Sequence, residues 1–190
     1  NLEGALFLDL FGRLLNDLGH YEEALEKREA ALAIRKHILP GDHTIIAGSL
    51  NNIGITLGEL GRHEEALKKQ EAALEMRQKV LPQDHPHIAR SFSGLGDTLN
   101  QLGDHEQALA FLQKARTIRE RIFPKGHPLL AKTLRYSGDA LSGLERYQDA
   151  LEKYQAALDM QERLLPAEHP ETAKTQKLLN KCQEKIRESQ

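Results

Sequence analysis

Tryptophan is absent, aromatic residues make up 5% of the chain, and cysteine occurs once, at Cys182. A single cysteine excludes an internal disulfide and any two-cysteine redox motif, and it fits a reducing, cytoplasmic setting. No apolar run approaches the roughly 20 residues that span a bilayer, so no membrane helix is expected. Charge of either sign is not in excess: 26 Lys and Arg stand against 28 Asp and Glu, for a net charge of −2. That balance argues against a nucleic-acid partner. The opening residues Asn1-Leu2-Glu3-Gly4-Ala5 lack both Met and a signal-peptide layout, and the sequence reads as a piece of a longer protein. Also missing are a nucleophile paired with a base, metal-ligand spacing and a cofactor loop. Neither an enzyme nor a metal or cofactor is expected.

What the chain has instead is a register of 42 residues. Ala24, Ala66, Ala108 and Ala150 obey it, as do Pro40, Pro82, Pro124 and Pro166, and His43, His85, His127 and His169. Leu18-Gly19, Leu60-Gly61, Leu102-Gly103 and Leu144-Glu145 keep the same step. A period held without an insertion implies stacked supersecondary units rather than one closed globule. Four repeats are expected, at about 1–42, 43–84, 85–126 and 127–169, with a capping helix over 170–190.

One repeat shows the local logic. From Thr44 to Leu60 the apolar residues Ile45, Ile46, Leu50, Ile53, Leu57 and Leu60 follow helical spacing. Gly61 stands where a left-handed residue ends a helix cheaply. A second helix begins near Glu64, with acids in its first turn and Arg77 and Lys79 in its last, as the helix dipole favours. Pro82 stops it. Each unit is thus a pair of antiparallel helices, and the fold class is all-α, with about nine helices in all. Gly12, Gly54, Gly96 and Gly138 share one position, and glycine costs about 1 kcal/mol inside a helix. Their recurrence predicts close approach to a second helix at the Ala24, Ala66, Ala108 and Ala150 surface.

The string Leu50-Asn51-Asn52-Ile53-Gly54, followed by Leu60-Gly61-Arg62-His63-Glu64-Glu65-Ala66-Leu67, resembles the tetratricopeptide repeat. The longer period, with Ala73 to Leu81 and Asp84-His85-Pro86-His87-Ile88-Ala89, is similar to the repeat of kinesin light chains. The resemblance implies a right-handed α-solenoid whose groove, lined by the first helix of each repeat, binds an extended peptide or a partner helix. Carried over by position, the groove comprises Asp9, Leu10, Arg13 and Asn16, then Asn51, Asn52, Ile55 and Glu59. Arg90, Ser93, Gly94, Asp97 and Gln101 follow from the third repeat, and Lys132, Arg135, Tyr136 and Asp139 from the fourth. The family's groove asparagine is matched by Asn52 alone, and the usual aromatic of the second helix by Tyr154 alone. Glu145 replaces the turn glycine, where a left-handed conformation costs about 1 kcal/mol or more.

Several other patterns have bland readings. The histidine series cannot converge on one ion, because repeats stack about 10 Å apart while zinc ligands lie about 2 Å from the metal. Each histidine precedes a helix start, so a capping or loop-packing role is expected. His85 and His87, either side of Pro86, read as solvated. Ser93-Gly94-Leu95-Gly96-Asp97 lacks the strand that precedes a phosphate loop. Glu22-Glu23, Glu64-Glu65 and Glu106-Gln107 are first-turn features of helices. Lys132, Arg135, Lys174 and Lys177, with Arg90 before them, form a basic end of the groove that would favour an acidic or C-terminal carboxylate ligand.

The reading that results is a non-enzymatic protein–protein interaction scaffold. The alternative is self-association, or docking onto a neighbouring effector domain of a larger protein. Leu2, Leu6, Phe7, Leu8 and Leu10 support the alternative, being apolar on more than one face of the first helix.

Overall fold

The structure, a computed structural model, describes residues 1–188. Among these residues there are nine α-helices and no strand. They are α1 (Leu2–Asp17), α2 (Tyr21–Ile38), α3 (Thr44–Glu59), α4 (His63–Val80) and α5 (Pro86–Leu102), then α6 (His105–Ile122), α7 (Pro128–Gly143), α8 (Tyr147–Leu164) and α9 (Pro170–Glu188). The helix expected over 170–190 is α9; residues 189 and 190 lie outside the described part. Two compact units are present, Asn1–Thr98 and a second that begins at Leu99.

Each hairpin is closed by the same device. After α1, α3 and α5 the chain turns through Gly19 (φ 83°), Gly61 (φ 74°) and Gly103 (φ 83°). His20, Arg62 and Asp104 donate backbone N–H bonds back to the carbonyls of Leu15, Leu57 and Leu99 at 2.9–3.0 Å, the Schellman closure of a helix end. Glu145 adopts the same turn at φ 59°, with Arg146 N–H on Leu141 O at 2.9 Å. The fourth turn therefore keeps its geometry and carries the strain of a side chain in the left-handed region.

The recurring histidines are helix caps. Nδ1 of His43, His85, His127 and His169 accepts the N–H of Ile45, His87, Leu129 and Glu171 at 3.1–3.2 Å. Such a bond satisfies one of the orphan donors at a helix start.

First helices are packed between second helices. In the first unit one core joins Leu25 and Leu32 of α2, Ile46, Leu50, Ile53 and Leu57 of α3, and Ala66 and Ala73 of α4. In the second unit another joins Leu141 of α7, Tyr154 and Leu158 of α8, and Leu179 and Cys182 of α9. The recurring glycines sit where hairpin partners come closest. A Cβ on Gly54 would lie 3.2 Å from Ala66 O, and on Gly12 3.1 Å from Ala24 O. On Gly138 it would fall 2.6 Å from the ring of Tyr154.

Candidate peptide-binding face

In the first unit the first helices lie side by side and are tied to each other directly. Thr56 Oγ1 of α3 donates to Asn16 Oδ1 of α1 at 3.1 Å. Arg90 Nη2 of α5 donates to Asn52 Oδ1 of α3 at 3.2 Å. The face these helices share carries Arg13, Ile55, Glu59 and Arg90 exposed and Asn52 and Asp97 half-buried. Arg90 has Asn52 as its only hydrogen-bond partner among the described residues.

In the second unit, Lys132 on α7 and Gln101 at the end of α5 are exposed, and Asp139 is half-buried. Lys132 Nζ stands 5.4 Å from the centre of the Tyr136 ring, on which the Arg135 guanidinium also rests at 4.6 Å. Lys174 and Lys177 of α9 are exposed as well.

Four of the sequence-predicted site residues are not at the surface. Asn51 (2% exposed), Ser93 (5%), Arg135 (3%) and Tyr136 (8%) are buried. The first three share the repeat position of Asp9, which in the first repeat turns inward to Arg35. Arg135 is held by Asp139 at 3.2 Å and by Glu171 at 3.6 Å. Its charge is thus engaged within the protein, whereas Lys132, Lys174 and Lys177 are exposed.

Sequence reasoning missed a series of buried arginines. Arg35, Arg77 and Arg119 recur at the 42-residue step near the ends of α2, α4 and α6, each 6% exposed or less. Each reaches the following first helix. Arg35 Nη1 donates to Ser49 Oγ at 2.5 Å, Arg77 Nη1 to Ser91 Oγ at 2.6 Å, and Arg119 Nη1 to Thr133 Oγ1. The signal was available: Ser49, Ser91, Thr133 and Thr175 are hydroxyl residues in one register. Arg35 also has a carboxylate, Asp9 Oδ2 at 3.3 Å. Arg77 does not, since Asn51 stands at that position, and it donates instead to His87 O at 3.1 Å. Burial, with Arg90 nearby, pushes the Arg77 guanidinium down to about 10. A second inward series links Arg28 to Thr56 Oγ1 and Gln70 to Thr98, whose Oγ1 lies 2.9 Å from Gln70 Oε1.

The second unit has one further irregularity. Ser137 occupies the register position of Ile53 and Leu95, and a cleft of about 340 Å³ opens beside it, lined also by Leu109, Leu134, Arg116 and Lys153. Among the described residues no cluster of three or more His, Cys, Asp or Glu could hold a metal, and no helix is long and apolar enough to cross a membrane.

Comparison with known proteins agrees with this geometry. A tetratricopeptide-repeat family model matches residues 5–79, 45–121 and 87–163. No curated protein sequence matches the chain. Among solved structures, a Podosopora anserina kinesin light chain protein with nearly identical TPR-like repeats superposes with a TM-score of 0.80. The two are 20% identical, over 99% of this chain and 89% of that one. BtubC (BKLC) from P. vanneervenii gives 0.79 at 16% identity, covering 94% of this chain and 71% of that one. The apo form of RapI gives 0.75 at 18% identity, covering 86% and 57%. At these identities the likeness is one of fold, an α-solenoid of helix pairs. With three overlapping matches spanning most of its length, the chain belongs to the tetratricopeptide-repeat family.

Proposed function

We propose that this chain is a non-enzymatic interaction module that binds an extended peptide, or a partner helix, across the first-helix face of its repeats. Tetratricopeptide repeats in general mediate protein–protein interaction, and the fold is generally a non-catalytic scaffold. The observation that carries the reading is Arg90. It is an exposed cation on α5, oriented by Asn52 of α3 and without an ion pair among the described residues. An orienting amide beside an uncompensated guanidinium suits a carboxylate, which would complete the pair by a charge-assisted hydrogen bond. Arg77, buried behind with no carboxylate of its own, adds positive potential at the same place. Lys132 has the corresponding repeat position in the second unit, so the proposed ligand is acidic. Arg13, Asn52, Ile55, Glu59 and Asp97 would read its neighbouring residues in the first unit, and Gln101 and Asp139 are the polar positions that the second unit would offer beside Lys132. A cytoplasmic setting belongs to the same proposal and rests on the lone, buried thiol of Cys182.

A library of acidic and neutral peptides, immobilised and probed with wild type, Arg90→Glu and the outer-face variant Glu22→Arg, tests this. Acidic peptides captured by wild type and Glu22→Arg are expected to be lost by Arg90→Glu. Equal capture by all three proteins removes the face from the proposal.

A second reading is self-association through α1. It is favoured by the exposure of Leu2 (43%), Leu6 (54%), Phe7 (68%) and Leu10 (47%).

A further inference from the structure

The 42-residue register is broken at one core junction. Where a second helix meets the first helix that follows it, two register positions are filled by large apolar residues. At α2 and α3 they are Leu32 and Ile53, which belong to one core. At α8 and α9 they are Leu158 and Leu179, again in one core. At α4 and α5 the same positions hold Leu74 and Leu95, both buried. At α6 and α7 they hold Arg116 and Ser137. Two core leucine-type residues are thus replaced together, and this junction gives up their burial and packing. A third replacement opens it outward. Ala110 on α6 stands where the other second helices carry Glu26, Lys68 and Glu152. The cleft of about 340 Å³ lined by α6, α7 and α8 lies at these three positions.

The cleft has apolar walls and a cationic border. Leu109, Ala110 and Leu134 supply the walls, and Arg116 and Lys153 the charge. Arg116 gives only its Nε to Glu120, at 2.7 Å, so its terminal Nη donors have no hydrogen-bond partner among the described residues. Lys153 makes no ion pair among them, and both cations are half-buried. No acidic residue lines the cleft, because Gln113 stands where the first two repeats have Glu29 and Glu71. Ser137 is satisfied by its own helix, its Oγ donating to Thr133 O at 2.9 Å. Its part is to leave the room that a leucine would fill.

Apolar walls with a few convergent donors are the make-up of a small-molecule site, and the volume lies at the lower end of the usual ~300–1,000 Å³. A guanidinium and an ammonium with unused donors call for an anion, and the planar fork of arginine matches a carboxylate. At the earlier junctions Leu32 with Ile53, and Leu74 with Leu95, occupy the equivalent positions. The space is therefore one pocket rather than a groove that runs on along the repeats, and it suits a compact ligand, not an extended chain. We propose that this cleft binds a small organic carboxylate with an apolar body. The body would rest on Leu109 and Leu134, and the carboxylate on Arg116 and Lys153. The site is independent of Arg90 and of the peptide-binding reading.

Heteronuclear NMR titration of the 190-residue chain tests it. The probes are 2-naphthoate, its neutral counterpart 2-naphthamide, and acetate, a carboxylate without the apolar body. 2-Naphthoate is expected to saturate with a dissociation constant of roughly 0.1–1 mM, as the ligand efficiency of small molecules implies. The amides it shifts are expected to be those of α6 and α7 around Arg116 and Ser137. The neutral amide and acetate are expected to bind at least about tenfold more weakly. Arg116→Leu and Ser137→Leu each restore a residue that other repeats carry at the same position, and circular dichroism is expected to show their helix content unchanged. Each is expected to weaken 2-naphthoate by about tenfold or more. Lys36→Gln, which removes an exposed cation from α2, is expected to bind as wild type does. Failure of 2-naphthoate to saturate, equal binding of the neutral amide, or undiminished binding by either leucine variant overturns the site.

Discussion

Gly138→Ala should destabilise this protein, although alanine is the better helix former. In the middle of α7 the substitution gains about 1 kcal/mol of helix propensity. Against it, the new Cβ would stand 2.6 Å from Cε1, 2.7 Å from Cδ1 and 3.0 Å from Cζ of Tyr154. Tyr154 has little room to retreat. Its side chain is 2% exposed and its hydroxyl donates to Asp139 Oδ1 at 2.8 Å. The phenol is raised above its ordinary range by burial first and by Asp139 second, so it remains a donor. Overpacking of this kind costs ~1–3 kcal/mol. Stretching a hydrogen bond to a charged acceptor adds about 1 kcal/mol. The net expectation is a loss of about 1–3 kcal/mol, or roughly 2–10 °C in melting temperature for a chain of this size. Gly48→Ala on α3 is the control, because nothing lies within 4 Å of its Cβ; it is expected to stabilise by ~0.5–1 kcal/mol. Tyr154→Leu in the Gly138→Ala background should recover part of the loss, since Leu112 fills the equivalent position one repeat earlier. Urea unfolding of these three variants, of Tyr154→Leu alone and of wild type measures the coupling. If Gly138→Ala stabilises as Gly48→Ala does, or if the double variant is simply additive, the close-approach account of the glycine register is wrong.

Two further outcomes follow from particular contacts. Glu145→Gly relieves the one interhelix turn of this type that is closed by a side-chain-bearing residue, at φ 59°, and is expected to raise stability by about 0.5–1 kcal/mol in thermal melting; a lower melting temperature would contradict the strain. Ser91→Ala removes the Arg77 acceptor at 2.6 Å and leaves a buried guanidinium with one protein acceptor, at a cost of ~1–3 kcal/mol. Ser49→Ala is expected to cost less, because Asp9 still holds Arg35, and calorimetric melting of both variants checks the order.

What the sequence by itself determined is everything that depends on near neighbours along the chain. The bounds of α3 and α4, the glycine turns and the histidine caps all follow from interactions spanning five residues or fewer, and a 42-residue period repeats them, with Glu145 in place of glycine in the fourth turn. The close approach at Gly54 was legible for the same reason, as a local cost that recurs only where packing returns it. Tertiary structure decided which first-helix positions remain open to a partner. Asn51, Ser93, Arg135 and Tyr136 are polar or amphipathic residues that hydropathy sends to a surface, yet they are buried against neighbouring helices. Arg35, Arg77 and Arg119 go the same way, because each guanidinium finds a hydroxyl some 14 residues on, across a loop and on the next helix. On α1 the reverse holds. Phe7 already stood out in the sequence as part of an apolar stretch on more than one face of the first helix, and the packing adds that Phe11, Leu14 and Leu18 are exposed beside it among the described residues.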